Sequence, residues 1–304
     1  MKKSILTAAI LLAVGAFAAT AQVIEMEDSY QRLQEALQKK DVAEVKRLAA
    51  ETSKYARQVV EAPKPANPDD VEQWTSLVAH GKEVDTYSEY SLYASTVGVP
   101  PAQAIDLLST LIAQNPKSKY LDEGGYARYF QLLGQTGASA KIVGAAEKAL
   151  ASLPDSFDVL STLAEQSLST PSRALSYAQR LISAAGKATK PEGAAANWDS
   201  RRSQALGRGY YIAGMVQAQS QNFFEADKNL RAALPLVKGS DTMAAGTLFF
   251  LGVANYQLGS ASNNKARVLE AANFSEQAAN YKSQYVQQAM TNAVAMRAAA
   301  AKMR

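Results

Sequence analysis

Apolar residues recur along this chain at intervals of three and four, and β-branched residues never alternate with polar ones over a strand's length. With 3.6 residues per turn, that spacing gathers apolar side chains on one face of an α-helix. Tyr30, Leu33 and Leu37 form the first such face. Lys39-Lys40-Asp41 interrupts it, and Val42, Val45, Leu48 and Ala49 start the next. Residues 28–60 therefore predict a helical hairpin within an N-terminal segment, 22–62. Pro63, Pro65 and Pro68 make residues 63–70 a linker, since proline lacks the amide hydrogen that a helix interior needs. Asp69 or Asp70 is placed to cap a third helix, which carries Val71, Trp74, Leu77 and Val78 toward Val84.

From about Asp85 onward a pattern of small and large residues repeats. Ala104, Leu108, Leu111 and Pro116 set it out. Ala146, Ala149, Leu150 and Pro154 repeat its end, the two prolines standing 38 residues apart. Ala174, Ala178, Leu181 and Ile182 return to it, then Ala226, Leu230, Ala233 and Leu234, then Ala271, Ser275 and Ala278. Polar, Gly-containing stretches at 186–200 and 259–265 account for the longer intervals as loops. Small residues let antiparallel helices approach closely; each pair still exposes an apolar face, which stacking covers. The expected fold is all-α, with antiparallel pairs stacked over residues 71–304. A long last helix, about Ala266 to Arg304, is expected to cap the stack along a stripe from Phe274 through Tyr281 and Tyr285 to Met296.

Leu248, Leu251-Gly252, Ala254, Tyr256 and Leu258-Gly259 resemble the first helix and turn of a tetratricopeptide repeat (TPR). Tyr210, Gly214 and the run Asn222 to Ala226, followed by Leu230, Ala233 and Leu234, are similar to another unit. The resemblance spans about Asp85 to Arg304 and implies a TPR-like right-handed α-solenoid that binds protein or peptide in a concave groove. Family members that hold chaperone C-termini clamp the carboxylate with Lys and Asn on first helices. The matching faces here carry Arg208, Tyr211 and Met215, and Phe249, Val253 and Tyr256. The implied groove is apolar and aromatic, and these six are its candidate contacts.

The first 21 residues read as a secretory signal peptide. Lys2 and Lys3 precede an uncharged apolar stretch from Ile5 to Ala18, and Ala19-Thr20-Ala21 offers a small-x-small cleavage site before Gln22. The apolar run is shorter than the roughly 20 residues a spanning helix needs. Cleavage removes two lysines and no acids, so the net charge of +4 falls to +2. The expected address is the bacterial periplasm, with full secretion second, and no stable membrane insertion after cleavage. With no cysteine, the chain can form neither a disulfide nor the lipid anchor of bacterial lipoproteins.

Composition narrows the chemistry further. No cysteine and one histidine leave no thiol nucleophile and no multi-His metal site. His80 reads as a helix-surface residue, since a catalytic base would need a nucleophile and an orienting acid beside it. Gly186-Lys187 departs from a phosphate loop because Leu181 stands where a glycine is needed, and Gly207-Arg208-Gly209 reads as a helix start. Low net charge without a Lys/Arg cluster disfavours nucleic acid. Tyr87, Tyr90 and Tyr93, then Tyr120, Tyr126 and Tyr129, suit inter-helix packing with hydroxyls at the rim; the functional alternative is a Tyr-rich groove that grips an extended peptide. The expectation is a non-enzymatic scaffold without cofactor or metal that binds protein or peptide. The alternative is a self-associating, envelope-organising protein, and an enzyme with an unrecognised site stands third.

Overall fold

The computed structural model describes residues 19–193 and 195–303; the expected signal segment up to Ala18 lies outside the described residues. Among those described there are thirteen α-helices and no strand, and within each of two compact units consecutive helices pack on one another. The chain divides into two compact units after Gly137.

In the first unit, α1 (Ala19–Lys39) and α2 (Val42–Val60) make the expected hairpin. Lys40 turns the chain at φ 55°, and the Asp41 side chain caps α2 by accepting from the Glu44 amide at 3.1 Å. The hairpin does not stand apart. Val59 and Ala56 of α2 and Met26 of α1 bury against Val84 of α3 (Val71–Ala94). A Cβ at Gly81 of α3 would lie 3.0 Å from the Val60 side chain, so this glycine lets α3 approach α2. Neither Asp69 nor Asp70 caps α3. Asn67 instead accepts from the Asp69 amide at 3.2 Å and holds a single 3-10 turn, Pro68–Asp70. Asp70 is already helical in backbone and its side chain accepts from Asn67, which removes it as a cap. Asp85, expected to open the repeats, lies inside α3, where its carboxylate binds Arg57 and Ser53 of α2. The unit continues with α4 (Pro101–Gln114), a π-turn at Leu121–Gly125, and α5 (Tyr126–Gln135).

The second unit holds α6 (Ile142–Ser152), α7 (Phe157–Gln166), α8 (Pro171–Lys187), α9 (Trp198–Gln219), α10 (Phe223–Ala233), α11 (Asp241–Ala261), α12 (Lys265–Ala279) and α13 (Val286–Lys302). Besides its chain neighbours, α9 touches α7 and α11, and α11 touches α13. The recurring small residues sit where helices meet: Ala174, Ala178, Ala226, Ala233, Ala271 and Ala278 are all buried. At Gly214 a Cβ would come within 2.5 Å of the Leu230 side chain, so only glycine permits this approach of α9 to α10.

Three segments differ from expectation. Gly207–Gly209 is interior to α9 rather than its start, because the helix begins at Trp198. Gly186 and Lys187 complete α8, and Gly259 to Ala261 complete α11, so both loops are shorter than their composition suggests. The single terminal helix is two. Asn280 to Tyr285 breaks it, the Ser283 hydroxyl accepting from the Tyr285 amide at 3.2 Å, and α13 returns along α12 until Lys265 Nζ donates to the Met303 carbonyl.

Candidate partner-binding surface

In the N-terminal unit, helix geometry lines tyrosines into one row. Tyr87, Tyr90 and Tyr93 follow each other at three-residue steps on α3, and Tyr30 reaches them from α1. Tyr30 meets Tyr87 edge-on at 5.2 Å between ring centroids, Tyr87 meets Tyr90 at 5.9 Å, and Tyr90 meets Tyr120 at 5.7 Å. Tyr93 stacks on Tyr120 at 5.9 Å. Tyr120 comes from the segment just before the π-turn, where Gly124 takes φ 127°, a value that side-chain-bearing residues rarely adopt. A Cβ there would stand 3.7 Å from the Tyr93 hydroxyl.

The row is partly open to solvent. Tyr90 is 41% exposed and the other four are half-buried. Burial pushes the hydroxyl pKa values of Tyr30, Tyr87 and Tyr120 above the ordinary tyrosine value; Glu27 and Glu83 add to this at Tyr30, and Glu89 and Glu123 at Tyr120. Lys119 lies over Tyr120 with Nζ 5.0 Å from the ring centroid. At the other end His80 stands edge-on to Tyr30 at 6.3 Å and bonds Glu27 at 2.5 Å. That bond raises the imidazole pKa above its usual value against the opposing effect of burial. Tyr126 is not part of the row. It is 1% exposed, donates to the Pro116 carbonyl at 3.2 Å, and burial pushes its pKa up to about 12. Tyr129 leans on Phe130 at 6.0 Å.

The six contacts implied by the TPR resemblance lie in the C-terminal unit, and the structure does not join them into a groove. Met215 and Phe249 are core, 7% and 5% exposed, with Tyr211 and Val253 packed against the same cluster. Phe249 stacks on Tyr285 at 4.7 Å, and Tyr281 joins from the same break between α12 and α13. Burial, then Tyr285, raise the Tyr211 hydroxyl pKa far above its ordinary value. Tyr256 packs in a different cluster, with Val268, Ala271 and Met296, and Arg208 pairs with Glu165 of α7 at 3.2 Å. Two tyrosines of this chain thus pack against Phe249's cluster. The cause is the break at Asn280–Tyr285, which turns Tyr281 and Tyr285 back onto α11.

Beside that core lies a polar knot that sequence reading missed. Asn255, fully buried on α11, donates to Asp227 at 2.6 Å and to the Leu251 carbonyl at 3.0 Å, and its oxygen accepts from Arg267 at 2.9 Å and Arg231 at 3.3 Å. Asp227 binds both arginines, and Arg231 also reaches Glu270 at 2.9 Å. Every member is partnered, so the knot ties α10, α11 and α12 together. Among the described residues no group of three or more His, Asp or Glu is placed to hold a metal, and no helix is long and apolar enough to cross a membrane. No protein-family model matches the chain, and neither a curated protein nor a solved structure matches it.

Proposed function

We propose that the protein is an exported, TPR-like helical scaffold that binds protein or peptide partners on the tyrosine row of its N-terminal unit. The row itself carries the proposal: five tyrosines from three chain segments, contiguous, with Tyr90 41% exposed at its middle. Tyrosine is favoured at binding surfaces because a rigid ring supplies contact area and its hydroxyl supplies a hydrogen bond. The TPR-like solenoid is supported by alternate helices of the second unit touching, and by glycines at close helix approaches. The signal-like residues 1–21 support export to the periplasm. Binding rather than catalysis is the assigned role, with no cofactor required.

Selection of a displayed peptide library on the full chain tests the site, with Tyr87→Ala/Tyr90→Ala as the counter-target. The proposal expects enriched peptides that lose affinity for the double variant. Peptides that bind both proteins equally would overturn it. Self-association is a second reading, favoured by Met290 and Val294, 54% and 72% exposed one turn apart on α13. Light scattering at rising concentration decides it: a dimer abolished by Val294→Asp supports it, and a monomer throughout refutes it.

A further inference from the structure

Cleavage between Ala21 and Gln22 makes a glutamine the first residue, and the fold puts that residue in a helix. α1 runs Ala19–Lys39, so Gln22 stands in its first turn. Val23 packs with Met26, Ala56, Val59 and Val84, so α1 is anchored to α2 and α3 from the residue directly after the new terminus. Gln22 itself is half-buried. The new α-amine is thereby fixed at the positive end of the helix dipole, which disfavours an ammonium there. Glu25, exposed three residues on, is the nearest acid along the chain.

We infer that Gln22 of the exported protein closes to a pyroglutamyl residue, a modification that removes the terminal charge. This rests on the export reading proposed above, with cleavage after Ala21. The unprotonated α-amine attacks Cδ of its own side-chain amide. The N–Cδ bond forms, the Cδ–Nε2 bond breaks, and Nε2 leaves as ammonia, taking one proton from the amine. Nucleophile and amide belong to one residue, so the step is intramolecular and needs no second reactant. The helix accepts the product. A five-membered ring at the backbone nitrogen restricts φ as proline's does, and proline is favoured in the first helical position. In a helix interior such a ring collides with the carbonyl four residues earlier. For residue 22 that carbonyl belongs to Ala18, which leaves with the signal. Ring closure also keeps the Gln22 carbonyl, the acceptor that helix geometry offers to the Met26 amide. An uncharged lactam suits the start of α1 better than an ammonium does.

Amine trapping tests the inference. The full chain, expressed in bacteria with its own first 21 residues, is treated at neutral pH with formaldehyde and cyanoborohydride, which dimethylate free amines, before digestion and mass spectrometry. Most N-terminal peptides are expected to begin at residue 22, to be lighter by one ammonia and to carry no dimethyl group on the terminus. Gln22→Asn, whose side chain is one methylene too short for the five-membered ring, is expected to begin at the same position with a dimethylated terminus. If wild-type peptides begin at Gln22 and are mostly dimethylated there, the lactam is refuted while cleavage stands. A Gln22→Asn terminus as blocked as wild type would also overturn it. If the terminus lies at any other residue, the cleavage reading is refuted and the inference with it.

Discussion

Replacing Asn255 with leucine removes the centre of the polar knot while keeping nearly the same volume. The side chain takes part in three bonds to charged partners, with Asp227 at 2.6 Å, Arg267 at 2.9 Å and Arg231 at 3.3 Å. Each such bond contributes about 1.5–3 kcal/mol when its loss strands a charge. Here the charges are not stranded, because Asp227 keeps both arginines and Arg231 keeps Glu270. The gain of an apolar side chain in a closed core offsets part of the remainder. With the charges still paired, the expected loss is about 2 kcal/mol, the net worth of the lost hydrogen bonds less the apolar gain. Urea unfolding measures it, and the chain offers separate reporters: Trp74 lies in the first unit and Trp198 at the start of α9 in the second. In a Trp74→Phe background, Trp198 fluorescence should show an earlier midpoint for Asn255→Leu with little change in slope. A loss under about 1 kcal/mol, or a gain, would refute the claim that Asn255 organises the knot, since well-packed apolar replacements of buried ionic groups are sometimes stabilising.

Phe249→Ala should destabilise the C-terminal unit by about 3–5 kcal/mol in the same assay, because the ring is core and stacked on Tyr285; a residue lining an open groove would leave the midpoint nearly unchanged. The Glu27–His80 bond raises the histidine pKa, so its stabilisation is complete below the unfolded value of about 6.5 and is lost as pH rises through the folded value. The stability difference between wild type and His80→Gln should therefore be larger at about pH 5.5 than at about pH 8.5, and a difference that grows with pH would contradict this. Mass spectrometry of the protein recovered from a bacterial envelope should find an N-terminal peptide beginning at Gln22, whereas a peptide spanning Ala21 and Gln22 would count against cleavage.

Much of the architecture was legible because helical periodicity is local. Lys39-Lys40-Asp41 announced the hairpin turn, and the small residues of each repeat are the buried ones. Long-range packing was less visible. Nothing in Asn280 to Tyr285 is a proline or a glycine, so the break that folds Tyr281 and Tyr285 over Phe249 carried no strong local signal. Without that break, the face of α11 read as a groove. The tyrosine row was half legible: the three-residue steps on α3 could be seen, but Tyr30 and Tyr120 join it only through packing of α1 against α3 and the turn at Gly124. Asp85, from about which the repeat pattern was counted, lies in mid-helix, where it binds Arg57 of α2, a long-range pairing that local spacing does not show.

Site-specific photo-crosslinking tests most directly which surface binds. A benzophenone side chain would be placed at Tyr90, on the row, or at Val253, on the face of α11, and irradiated in cells that express the full chain. A discrete adduct from position 90 and none from position 253 is the outcome expected if the tyrosine row is the binding surface. An adduct from position 253 with none from position 90 would return the binding site to the C-terminal unit and contradict the central claim.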